Sequence, residues 1–164
     1  MEMNLVDFTA GAIKKQSENE LLACNDYLKR YGDGLVLSES DVRMLVENRS
    51  RVLRNYGRME FGAGTLSKLA RTFAASADIP KNEFVSVLEE LTEIFYAFKN
   101  EVDNEASDDE LILAMYQGFC ADCHGSTELL SAMNPRKLID VYVYGGEKEE
   151  NIEERPLDRG DDEE

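Results

Sequence analysis

Cys120, Cys123 and His124 fall in one short run, Gly-Phe-Cys-Ala-Asp-Cys-His-Gly over 118–125. C-x-x-C-H is the spacing that attaches a c-type haem, through two thioethers and an axial histidine. Such a haem needs export and a second axial ligand. His124 is the only histidine, and a methionine such as Met133 follows too closely to cross to the far face of the ring. Zinc is the alternative, because Cys24 completes a Cys₃His set with Cys120, Cys123 and His124. Structural zinc sites usually bring two close ligand pairs, and here there is one. A redox C-x-x-C gains its low thiol pKa at a helix N-terminus, whereas this pair falls at a C-terminus, where the dipole opposes a thiolate. A plainer reading uses every residue. Leu113, Tyr116, Cys120 and Cys123 stand three, four and three apart and prolong an apolar helix face. His124 sits in the last turn, near carbonyls without partners, and Gly125 takes the left-handed position that closes the helix. That reading requires no metal and no cofactor, and it is the preferred one.

A second constellation is cationic. The run 48–58, Asn-Arg-Ser-Arg-Val-Leu-Arg-Asn-Tyr-Gly-Arg, holds four arginines and no acid. Arg43, Arg51, Arg54 and Arg58 recur at helical spacing. Planar guanidinium groups suit a phosphate, a carboxylate ligand or an acidic partner segment, the chain's own acidic tail included. The competing reading is a solvated face paired with Glu47 and neighbouring acids. Enzyme chemistry on this scaffold would need a pocket lined by these arginines and Glu60.

Other chemistries fail on spacing. With Asp103 as the first position of a calcium loop, the sixth is Asp108 rather than Gly and the twelfth is Ala114 rather than Glu. No Glu-x-x-His pair exists for di-iron work. His124 and Cys123 are sequence neighbours and point about 100° apart on a helix, so they form no dyad. There is no phosphate-cradling glycine loop. No catalytic motif is found, and the chain reads as a non-catalytic interaction or regulatory module.

Charge narrows the partners. Asp and Glu number 34 against 18 Lys and Arg, a net charge of −16. Residues 147–164 hold ten acids and three bases, a net of −7, which leaves −9 on the rest. Such a field repels nucleic-acid backbones and anionic lipid, favours solubility and biases association towards basic partners. The N-terminal sequence lacks the basic-then-apolar pattern of a signal peptide. No stretch approaches the length of apolar sequence a membrane span needs. The expected setting is the cytoplasm, where three cysteines stay reduced.

The elements that must position these residues are helical. Ser17-Glu18-Asn19-Glu20, Ser38-Glu39-Ser40-Asp41 and Ser107-Asp108-Asp109-Glu110 have the form of capping boxes. The first is expected to open a helix carrying Leu21, Leu22, Leu28 and Tyr31, stopped by Gly32 and Gly34. The second opens one carrying Leu45, Val46, Val52, Leu53 and Tyr56, with Leu37 and Val42 placed as a hydrophobic staple and Gly57 as the stop. A third helix is expected over about 60–76, with Phe61, Leu66, Leu69, Ala70 and Phe73 inward. Phe84, Val87, Leu88, Leu91, Phe95, Phe98 and Val102 make a continuous apolar stripe at helical period. The helix over 107–124 is apolar nearly all round and is expected at the centre. Ser126 and Asn134-Pro135 can start two short helices. Residues 135–144 read as helix or strand, with helix favoured because no partner strand is visible.

Six short segments then carry a family resemblance. They are Leu35-Val36-Leu37-Ser38-Glu39, Tyr56-Gly57-Arg58-Met59-Glu60, Glu93-Ile94-Phe95-Tyr96, Lys99-Asn100-Glu101, Asp108-Asp109-Glu110-Leu111 and Gly125-Ser126-Thr127-Glu128-Leu129-Leu130. Through them the run from about 35 to 130 resembles a bacterial, mainly clostridial, all-helical family catalogued only as a domain of unknown function. The resemblance implies a helical fold in a bacterial cytosol and assigns no activity. The expected architecture is all-α: a compact bundle of five to seven helices in a single domain over 1–145, followed by a disordered acidic tail over 146–164.

Overall fold

The helix starts written into the sequence are local, and the chain turns at most of them. Ser38 Oγ accepts from the Asp41 amide at 3.0 Å while Asp41 Oδ2 accepts from the Ser38 amide at 3.0 Å. Ser107 and Glu110 repeat the exchange at 3.1 and 2.9 Å. Ser126 Oγ serves the Leu129 amide, and Asn134 Oδ1 serves Arg136. Each arrangement satisfies amides that the first helical turn leaves without intrahelical partners.

A computed structural model describes the backbone of residues 5–146 and the side chains of 11–146. The architecture is all-α, with no strand among the described residues. In order the helices are α1 (Leu5–Leu22), α2 (Asn25–Tyr31), α3 (Glu39–Asn55), α4 (Gly64–Phe73), α5 (Phe84–Val102), α6 (Asp108–Ala121), α7 (Thr127–Ser131) and α8 (Pro135–Tyr142). All but the five-residue α7 have seven residues or more. Short 3₁₀ turns lead into and out of α5. The segment ambiguous between helix and strand is α8, capped by Asn134 with Pro135 in its first turn. Nearly all of the expected acidic tail lies outside the described residues.

The apolar stripe of α5 does what its period requires. Phe84, Leu88, Leu91, Phe95, Phe98 and Val102 are buried, and α3, α4, α6, α7 and α8 all pack against this helix. The centre is shared with α6, which buries Leu111, Ile112, Ala114, Met115, Gly118 and Phe119. Phe73 of α4 meets Tyr116 and Phe119 edge-on at 5.2 and 5.4 Å, a favourable aromatic geometry. The outer face of α6 reaches solvent, with Leu113 45% exposed.

Three expectations are corrected. Ser17 caps nothing: it lies inside α1, buried, and its hydroxyl donates to the Ile13 carbonyl at 3.0 Å. The chain breaks later, at Ala23-Cys24. There Asn25 clamps the returning strand of chain, bonding both the amide and the carbonyl of Leu37 at 2.8 and 2.9 Å. Tyr31 is exposed and stacks on Tyr27 rather than entering the core. Phe61 is 70% exposed in the loop before α4, because Gly62 holds φ at +72° and the helix begins only at Gly64.

Candidate anion-binding cleft

α3 has two chemically distinct sides. Val42, Leu45, Val46, Val52 and Leu53 are buried, and the opposite side carries Arg43, Glu47, Arg51 and Arg54 into solvent. Beside that side, between α1, α3 and α5, lies an open cleft of about 600 Å³. Its walls include Lys14, Arg43, Glu47, Arg51, Arg54 and Glu89, with Met44 and Asn48 between them. Three of the four arginines grouped by spacing therefore share one cleft, and Lys14 joins them from α1. Arg58 does not. It follows Gly57, half-buried, with its Nε enclosed and without a hydrogen-bond partner among the described residues.

Within the cleft two cations are committed. Lys14 pairs with Glu47. Arg51 donates to Asn48 Oδ1 at 2.6 Å and faces Glu93 at 3.6 Å. Neither Arg43 nor Arg54 makes an ion pair among the described residues, so both keep donors for an incoming anion. The carboxylates respond in opposite directions. A hydrogen bond and the charge of Lys14 hold Glu47 below its ordinary pKa, with a smaller contribution from Arg54. Partial burial raises Glu89 despite the attraction of Arg51. Guanidinium and ammonium groups are of a type that suits carboxylate or phosphate oxygens.

The charge that spacing missed is Arg49. It is 3% exposed, and its register explains why: Val42, Leu45, Val46, Arg49, Val52 and Leu53 form one stripe, and Arg49 occupies a core position in it. Its Nη2 donates to Ser17 Oγ at 3.1 Å, and Nη1 stands 3.9 Å from Glu60 Oε1. Glu60 also accepts from the Tyr96 hydroxyl at 2.6 Å. Burial, then the charge of Glu60, push that hydroxyl well above the usual phenol range. Glu60 is thus held by the core and does not line the arginine cleft. One buried charge opposite one acid is a structural pair that ties the 56–63 loop to α3 and α5.

The cysteines and His124 do not converge. Cys24 Sγ receives a guanidinium N–H of Arg71 at 3.4 Å. Cys120 Sγ neighbours Ser76 Oγ at 4.0 Å, and Cys123 Sγ donates to Met133 Sδ at 3.4 Å. His124 is exposed, past the end of α6, with φ of +51°. Its ring caps no carbonyl among the described residues; the amides of Asp122 and Cys123 reach Gly118 O, and that of Gly125 reaches Phe119 O. Gly125 does take the left-handed position, with φ of +87°. Among the described residues no three Cys, His, Asp or Glu side chains are placed to hold a metal ion, so the alternative Cys24–Cys120–Cys123–His124 set is not assembled.

A family profile matches residues 20–148. The chain belongs to DUF6323, a family of unknown function. The DUF6323 match contains Arg43, Arg51 and Arg54, whereas Lys14 precedes it and most of the acidic 147–164 segment lies beyond it. Comparison with curated proteins and with solved structures gave no match. Among the described residues no helix is long and apolar enough to cross a membrane.

Proposed function

We propose that this chain is a non-catalytic interaction module of the bacterial cytoplasm, whose α3 cleft receives an acidic segment of a partner protein. One observation carries the reading. In a chain of net charge −16, Lys14, Arg43, Arg51 and Arg54 meet in one cleft, and two of them have no ion pair among the described residues. Guanidinium forks match carboxylates two oxygens at a time. The acidic field outside the cleft opposes a long polyphosphate backbone, and a short acidic peptide presents far less charge to it. The setting in a bacterial cytoplasm rests on composition and on the sequence resemblance alone.

The reading is tested with a fluorescent peptide of consecutive glutamates titrated into the full chain. Binding is expected at about 0.05 M salt and is expected to weaken at about 0.3 M, where screening is stronger. The Arg43→Glu/Arg54→Glu variant should lose at least about tenfold in affinity, as expected when interfacial charges are reversed. Equal binding by the variant and the parent would remove the cleft from the account.

A further inference from the structure

The α3 cleft has a direction and a spacing. α1 and α5 run alongside α3 in the same sense: Lys14 and Ser17 meet Glu47 and Arg49 in order, and Asn48 and Arg51 meet Glu89 and Glu93. With Lys14 on one wall and Glu89 on the other, the cleft is an open trough along the α3 axis. Arg43 and Arg54, the two arginines of the cleft without ion pairs among the described residues, stand eleven positions apart on this helix. Eleven residues make about 16.5 Å of helix and about three full turns, so both side chains leave the same face. The charges between them are paired. Glu47 is held by Lys14, Arg51 faces Glu93 and bonds Asn48, and Met44 is 51% exposed. The trough therefore offers unpaired cations at its two ends and none in the middle.

That spacing selects the shape of an acidic occupant. A phosphate or a short dicarboxylate gathers its oxygens in one place and meets only one end. An extended chain covers the distance in about five residues at about 3.3 Å each, and a side chain five positions on points to the opposite side of the strand. A helix laid along the trough has the rise of α3 itself. Its residues i and i+11 are about 16.5 Å apart and share one face. Met44 gives the turns between them a flexible apolar contact. A second copy of this chain does not supply the complement. Among helical residues with described side chains, Glu90 and Glu101 of α5 are the one pair of acids eleven apart, and Thr127 and Arg136 already hold them.

We propose that the α3 trough docks an acidic helix of a partner protein, with carboxylates eleven residues apart on Arg43 and Arg54 and uncharged residues between them. This assignment rests on the acid-binding reading of the cleft and gives the occupant a conformation and a charge spacing. Separated carboxylates also suit the walls. A continuous run of acids meets the like charges of Glu47 and Glu89 in the middle of the trough, whereas uncharged turns there meet no repulsion. The mode is that of a helix lying in a groove and read from one face.

The experiment titrates three fluorescent peptides, each of alanine and glutamine around two glutamates, into the full chain at about 0.05 M salt. The first is a stapled helix with its glutamates at i and i+11. The second is the same stapled helix with them at i and i+7, which keeps one face and shortens the separation to about 10.5 Å. The third keeps the i and i+11 positions but replaces the staple with a central proline that breaks the helix. The first peptide should bind at least about fivefold more tightly than either other, the loss expected when one charge pair is not made. Arg43→Glu and Arg54→Glu, both exposed substitutions, should each reduce it to the level of the second. Equal affinities for the first and second or for the first and third, no binding by any of the three, or full binding by both single variants overturns the docked helix. Polyglutamate then decides the underlying reading. If it binds the parent and is lost in Arg43→Glu/Arg54→Glu, the cleft stands as an acid site without a helical occupant; if it does not bind the parent, the cleft falls as well.

Discussion

The hydroxyl of Tyr96 donates to Glu60 Oε1 at 2.6 Å, and the same oxygen is the one nearest Arg49 Nη1, at 3.9 Å. One carboxylate thereby serves a buried phenol and a buried guanidinium that approach it from α5 and α3. The contact is structural, and its parts are not equivalent. Glu60 retains some access to water, with 26% of its side chain exposed, while Arg49 has almost none. Removing the acid strands a buried charge. Removing the arginine strands an acid that solvent can still reach.

Glu60→Ala is therefore expected to lose more stability than Arg49→Met. Breaking a buried pair by deleting one partner costs about 3–5 kcal/mol, and the partial exposure of Glu60 places its loss at the lower end. Arg49→Met keeps a flexible stem at the core position and should cost about 1–2 kcal/mol, from the lost Ser17 bond and imperfect packing. Tyr96→Phe deletes only the hydroxyl and should fall near 1 kcal/mol. Urea unfolding followed by circular dichroism gives the three values. An Arg49→Met loss exceeding that of Glu60→Ala would show that the guanidinium's packing, not its charge balance, dominates.

The pairing also shows where sequence reasoning reached and where it stopped. Ser38, Ser107, Ser126 and Asn134 were legible as helix caps, because a cap is made by residues within three or four positions of one another. Ser17 carries the same local pattern but sits inside a longer helix, its hydroxyl bonded to Ile13 and Arg49. Arg49 stands within the cationic run, yet its register with Val42, Leu45, Val46, Val52 and Leu53 marks it as inward-facing. Its partners Ser17, Glu60 and Tyr96 come from three other parts of the chain, and no spacing rule links them. The cleft was half legible for the same reason. Arg43, Arg51 and Arg54 share a helix face, but Lys14 and Glu89 arrive only with the packing of α1 and α5.

The cleft's two carboxylates should give stability opposite dependences on pH. Glu47 titrates below its ordinary value in the folded chain, so its contribution is present above about pH 4.3 and is lost as pH falls through the lower folded value. Glu89 titrates above its ordinary value, so the folded state holds its proton more tightly and loses relative stability as pH rises through that window. Glu47 is largely solvated and Glu89 only partly buried, which keeps each effect to about 0.5 kcal/mol. Lys14→Ala should cost about that much at neutral pH and less near pH 2, as Glu47 takes up its proton. Glu89→Gln should be neutral or slightly stabilising at neutral pH. Urea midpoints at the two pH values measure this, and a Lys14→Ala loss that persists unchanged in acid would discount the Glu47 pair.

Thiol reactivity should rank the cysteines by environment. Cys123 is buried beside Met133, and burial, with a smaller contribution from Asp122, pushes its thiol up to about 11. Thiolate is the reactive form, so Cys123 should resist alkylation at pH 8 in the native state. Cys24 is buried as well, whereas Cys120 is half-buried at the end of α6. Iodoacetamide followed by peptide mass mapping should therefore find Cys120 modified first, with Cys24 and Cys123 labelled only after denaturant. Rapid native labelling of Cys123 would contradict its placement in the core.

Two glycines set tight limits at opposite ends of the same segment. Gly125 holds φ at +87°, and a Cβ there would stand 2.5 Å from Asp78 Cβ. Gly125→Ala combines left-handed strain of about 1–2 kcal/mol with that clash, so a total loss of about 2–5 kcal/mol is expected. Gly118 is different, because it lies in helical backbone where Ala is preferred by about 1 kcal/mol. Its added Cβ would meet Leu138 Cδ2 at 2.6 Å, where α8 crosses α6. The expected net loss for Gly118→Ala is about 1 kcal/mol, since overpacking costs about 1–3 kcal/mol before the helix gain is returned. Leu138→Val withdraws the methyl that collides, so the double variant should lose less than the sum of the singles by about 1 kcal/mol. Strict additivity in urea unfolding would mean that α8 shifts as a body to admit the methyl, rather than that one leucine side chain yields.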